Sequence, residues 1–154
     1  MADIWFYHLE RQPLELVLPR ILAGLFARGE RSSVHARHKP VLDDVSKKLW
    51  TLDDTAFIPH GFATDLYAEQ QPLLLTLEEA AANQSAYRFY VEGMTPNNFD
   101  GVLRCSMFLE GHDSAAVEDA RALWKKFTAQ GHAIKYWKQA ETGRWEDQAL
   151  KKAA

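Results

Sequence analysis

A chain of 154 residues, 47% hydrophobic and 25% charged, has the make-up of one globular domain and is long enough to bury a core without cross-links. Its net charge of −3 argues against a dedicated nucleic-acid binder, which draws most of its affinity from a basic excess over phosphates. A single cysteine, Cys105, excludes an intrachain disulfide and fits a reduced compartment.

The opening MADIWFYHLERQ lacks the cationic and apolar regions of a signal peptide, and no apolar run approaches the roughly 18 residues that span a bilayer, so a cytoplasmic protein with no membrane partner is expected. Residues 3 to 9, DIWFYHL, are apolar or aromatic on both alternating faces, as in a central strand covered on both sides. After Pro13, the residues Leu14, Val17, Leu18, Ile21, Leu22, Leu25 and Phe26 form a one-sided helical stripe. Pro19 is expected to bend this helix and Gly29 to cap it. SSVHAR, at 32 to 37, alternates like a half-exposed strand. A second helix is expected from Pro40, as its first residue, to about Trp50, with Leu42, Val45 and Leu49 facing inward.

The stretch KLWTLDDTAFIPHG, at 48 to 61, ends that helix and enters a loop. Pro72 then precedes LLLTL, a short buried strand, and a polar turn from Asn83 to Ser85 leads to AYRFYVEG, a further strand. MTPNNFDG is turn chemistry throughout. VLRCSMFLEG reads as a strand ending at Gly111, followed by a helix from Asp113 or Ser114 to Gln130 that Gly131 closes, and HAIKYWKQ as a last strand. The alternation predicts a three-layer α/β domain over residues 1–146, Rossmann-like, with a mostly parallel or mixed sheet and a short polar tail at 147–154.

A search of the same sequence for catalytic chemistry finds no reaction centre. EGHDSAA, at 110 to 116, sits where a strand meets a helix, the usual ligand edge of such folds, so an enzyme using His112 and Asp113 is the alternative reading. It lacks the glycine spacing of a dinucleotide fingerprint and of a P-loop, and a helix cap at Asp113 or Ser114 accounts for its polarity. His35 and His38 form an HxxH, but no CxxC or HExxH accompanies them; exposed strand-end histidines are expected, with no metal and no cofactor. Cys105 lies inside an apolar strand and reads as a packed thiol.

Two features stand out instead. On the wheel of the last helix, Ala116, Ala120, Leu123 and Phe127 form the apolar stripe, with Val117 and Trp124 on its border. Arg121 and Lys125, spaced i and i+4, run just outside. The arrangement reads either as a solvated flank or as a cleft with a positive rim, suited to a peptide carrying an aromatic side chain and a carboxylate. In the loop, Phe57, Ile58 and Pro59 follow Trp50 and the acidic pair Asp53 and Asp54. These apolar residues read either as a docking surface or, for Phe57 and Ile58, as tucked beneath the loop.

DIWFYHLERQPLE, KLWTLDDTAFIPHG, FLEGHDSAAVEDARALWKKFTAQGH and YWKQAETGRWE, in this order and spacing, resemble the chi subunit family of bacterial DNA polymerase III holoenzyme, a family of clamp-loader accessory proteins. The resemblance implies a protein with no catalytic activity that meets DNA only indirectly, through the acidic C-terminal tail of single-stranded DNA-binding protein. That tail would dock on the last helix and the following strand, implicating Val117, Arg121, Trp124, Lys125 and Lys135. Val117 stands where the family can carry a further basic residue, a deficit for Lys126, Lys135 or Lys138 to compensate. A second partner, the psi subunit or a DinG-like helicase, is implied at Trp50, Phe57, Ile58 and Pro59.

Overall fold

The structure is a computed structural model that describes residues 2–51 and 58–148. Its strands are β1 (Asp3–Leu9), β2 (Ser32–His35), β3 (Gly61–Phe62), β4 (Leu73–Thr76), β5 (Tyr87–Tyr90), β6 (Arg104–Glu110), β7 (Ala133–Gln139) and β8 (Trp145–Asp147). The helices are α1 (Leu14–Ala27), α2 (Lys39–Thr51) and α3 (Ser114–Ala129), with one 3-10 turn at Ala68–Gln70. The strands form one sheet in the order β3-β4-β2-β5-β6-β1-β7-β8. Among the described residues only the β7–β8 pair is antiparallel. This is the three-layer α/β architecture that the alternation predicts, with a mixed sheet.

Strand parity sorts the core into two layers. Tyr7 and Leu9 of β1 pack with Val17, Leu18 and Leu22 of α1 and with Leu42, Val45 and Leu49 of α2. Ile4 and Phe6, on the other face of the same strand, pack with Ala120 and Phe127 of α3. Flanked by β6 and β7, β1 is buried on both faces, as its unbroken apolar run requires. Cys105 is fully buried in the α3 layer, where burial pushes its thiol up to about 12 and leaves it protonated at neutral pH.

Three expectations are corrected. SSVH is buried at all four positions, because β2 lies inside the sheet between β4 and β5 and not at a half-exposed edge. His35 is consequently an interior residue. Its Nδ1–H donates to the Glu78 carbonyl at 2.7 Å, and its Nε2 accepts from Ser33 Oγ at 2.8 Å, which in turn meets Ser85 Oγ at 2.7 Å. His38 turns instead to Glu92, with Nδ1 2.7 Å from Oε2, so the HxxH does not converge. Finally, HAIKYWKQ is not the last strand: β8 follows it, reaches Asp147, and sets Trp145 edge-on against Tyr7 with ring centroids 5.6 Å apart.

Burial holds the His35 ring neutral and lowers its pKa from 6.5 to about 4. Between these values the unfolded chain takes up a proton that the folded chain refuses. Stability is therefore expected to be retained above the unfolded pKa and to fall by about 3 kcal/mol as pH drops through the window. Urea unfolding at a series of pH values tests this; an equally steep fall in His35→Gln would assign the effect to other groups.

Candidate protein-interaction surfaces

The chain enters α3 through Asp113, whose Oδ1 accepts from the amides of Ala115 and Ala116 at 3.0 and 3.2 Å, the cap expected of EGHDSAA. Gly131, at φ 88°, provides the left-handed residue that turns the chain into β7. Ala120 and Phe127 are buried beneath the helix, Val117 and Trp124 half-buried at its border, and Arg121 and Lys125 exposed beside them.

Trp124 stacks on Tyr136 of β7, with ring centroids 5.6 Å apart and planes 20° from parallel. Burial raises the Tyr136 hydroxyl pKa, and the nearby positive charge of Arg121 opposes that rise. Arg121, Trp124 and Tyr136 thus converge on one spot where α3 crosses β7. The Tyr136 hydroxyl donates to His8 Nδ1 at 2.8 Å, and His8 Nε2–H donates to Glu10 Oε1 at 2.9 Å. The His8 hydrogen bond is the main reason that the Glu10 carboxyl is held below its usual range. Lys138 Nζ lies 3.6 Å from the same Glu10 oxygen. The tyrosine wall of the site is therefore fixed from behind by a hydrogen-bonded chain.

Lys135 does not share this face. Neighbouring strand residues point to opposite sides of a sheet, so if Tyr136 meets α3, Lys135 cannot. Its Nζ instead sits 5.4 Å from the centroids of both Trp5 and Trp137, on the α1 and α2 side. The lysine that shares the Tyr136 face is Lys138, and it is already engaged by Glu10. Tyr136, the fourth residue of β7, is a part of this site that the helix wheel does not reach, although an aromatic residue in the strand after α3 is a visible signal.

At the end of α2, Trp50 is 61% exposed and meets the His60 ring edge-on at 5.8 Å. His60 is held by Ser46 Oγ at 2.9 Å from Nε2 and donates from Nδ1 to the Ile58 carbonyl at 2.9 Å. Ile58 is only 4% exposed and belongs to the core, so its expected place on the surface is corrected: it anchors the loop from within. Pro59 is half-buried, and Phe57, Asp53 and Asp54 lie outside the described residues. The same connection between α2 and β4 exposes Leu66 and Tyr67, at 80% and 60%, and no sequence pattern marks them. Tyr67 also takes a left-handed backbone, φ 70°, uncommon for a bulky residue and a sign of a defined turn.

Among the described residues no cluster of three or more histidine, cysteine or acidic side chains could hold a metal ion, and no helix is long and apolar enough to cross a membrane. Residues 1–135 match the family model described as DNA polymerase III chi subunit, HolC. No curated protein matches the chain.

Proposed function

The chain belongs to the DNA polymerase III chi subunit family, whose members are accessory subunits of the replicase, and from that premise we propose a non-catalytic adaptor that binds the acidic C-terminal tail of single-stranded DNA-binding protein. The convergence of Arg121, Trp124 and Tyr136 carries this reading. Arg121 and Lys125 receive carboxylates of the tail, and the Trp124–Tyr136 stack forms the apolar wall for its terminal aromatic side chain. Val117 packs at the border of the α3 core and adds apolar surface where a further cation could stand. Lys135, on the opposite face, takes no part in the tail site. Long-range attraction of an acidic tail to two exposed cations weakens with salt.

Calorimetry with a peptide copying the tail tests the reading directly. The free-carboxylate peptide is expected to bind, and the same peptide closed with a C-terminal amide to bind several-fold more weakly. Equal affinity of the two would remove the carboxylate from the recognition, and absence of binding would remove the tail.

The second partner, the psi subunit or a DinG-like helicase, is assigned to the surface around Trp50 and Pro59. Holding the indole against His60, whose ring nitrogens both have partners, lowers the ordering cost of an aromatic anchor. Trp50→Ala is expected to weaken capture of that partner by at least about tenfold, since buried aromatic anchors are commonly worth 2 kcal/mol or more. Tail binding stays within twofold of wild type. Retained capture by Trp50→Ala would move the interface away from α2. Together the two surfaces couple the clamp loader or the repair machinery to coated single strands.

A further inference from the structure

A crevice of about 890 Å³ opens at the carboxyl ends of β5, β6 and β1, between α1 and α2 on one side and α3 on the other. Ligands of open α/β sheets bind in this place, and the volume lies toward the upper end of ordinary ligand pockets. Its floor is apolar, with Leu9, Val91 and Phe108 among the lining residues, and Met94 and Met107 add side chains that repack readily around a partner.

The rim is acidic. Glu15, Asp44, Glu110 and Asp119 line the crevice, and among the described residues none of them makes a salt bridge. Among the described residues no lysine, arginine or histidine lines it. The two other lining carboxylates are committed to local structure: Glu92 accepts from the Arg37 and His38 amides, and Asp113 caps α3. A phosphate ligand is disfavoured twice over, because Asp113 already takes the α3 amides that would receive it and the rim repels its charge. The chemistry that suits this surface is the reverse, an apolar face bordered by cations.

We propose that the crevice is a docking groove for a basic amphipathic helical peptide, whose apolar face covers the floor and whose lysines or arginines meet Glu15, Asp44, Glu110 and Asp119. Charge complementarity selects this occupant over a neutral apolar segment. Arg121 and Lys125 do not line the crevice. The helix α3 thus presents a cationic row to one partner and an acidic rim to another, and both sites can be filled together.

The test uses fluorescence anisotropy with a labelled 14-residue peptide of leucine and lysine in helical amphipathic order, and its leucine–glutamate counterpart. The lysine peptide is expected to bind the full chain, and the glutamate peptide to bind at least about tenfold more weakly. The double variant Glu110→Lys, Asp119→Lys is expected to lose about tenfold toward the lysine peptide, whereas Arg121→Ala loses nothing. Far-ultraviolet circular dichroism checks that the variants fold. The proposal is overturned if the lysine peptide fails to bind, if the two peptides bind equally, or if the double reversal leaves binding unchanged. Sedimentation showing a wild-type dimer that the double reversal dissociates would also overturn it, since the occupant would then be a second copy of the chain.

Discussion

Replacing Arg121 with alanine is expected to weaken the tail peptide roughly ten- to hundredfold, the range that follows from losing one charge-assisted hydrogen bond of about 1.5–3 kcal/mol. Arg121 is exposed, so screening by water and salt places the result toward the lower end. Its charge already acts on the Tyr136 hydroxyl, so it sits where a carboxylate seated against the Trp124–Tyr136 stack would need it. The folded state does not depend on it, and unfolding free energy is expected to change by less than about 0.5 kcal/mol, as for surface positions outside any network. Titration of the free-carboxylate peptide into Arg121→Ala measures the first effect and urea unfolding the second. Unchanged affinity would release the tail from this face of α3. Arg121→Lys separates charge from geometry, since it keeps the cation but loses the bidentate fork.

The elements differ in how plainly the sequence writes them. The stripes of α1 and α3 and the unbroken apolar run of β1 each carry their own period, and all three appear where the pattern puts them. The fold class follows from their alternation with the shorter strands. Several of the departures share one physical cause, partners distant in sequence. SSVH looks half-exposed because a polar residue is assumed to seek water. His35 and Ser33 are buried because Glu78 and Ser85, more than 40 residues away, satisfy them. The family resemblance implies Lys135 for the tail site, and the strand alone does not exclude it, because parity is absolute but its sign is not written in the strand: Ala133, Lys135 and Trp137 alternate as well as Ile134, Tyr136 and Lys138. Only the packing of Tyr136 under Trp124 chooses between them. The strands β3 and β8, of two and three residues, are too short to display a period at all. Trp50 is exposed and Ile58 buried for reasons held by His60, which meets both.

Phe127→Ala is expected to have the largest effect on the fold itself. α3 sends only Ala120 and Phe127 into fully buried positions, and the phenyl ring, 1% exposed, meets Phe99 and His132 edge-on at 5.7 and 6.0 Å. Alanine at 120 has little to give, so the phenyl ring supplies most of the buried apolar contact on which the helix sits. Truncating a buried phenylalanine costs about 3–5 kcal/mol through lost transfer energy and the cavity left behind, a large share of the 5–15 kcal/mol typical of a domain. The loss should concentrate in α3. Hydrogen exchange is expected to report faster opening of its amides than of those in β2 or β4, and Phe127→Leu, which refills most of the volume, to recover more than half of the stability. Tail binding weakens as well, because the helix that holds Arg121 and Trp124 opens. This separates the two variants: Arg121→Ala changes affinity at constant stability, and Phe127→Ala changes both. A stability loss under about 1 kcal/mol would mean that the Trp124–Tyr136 stack, not the phenyl ring, anchors α3 to the sheet, since 0.5–1.5 kcal/mol is what such an aromatic pair contributes.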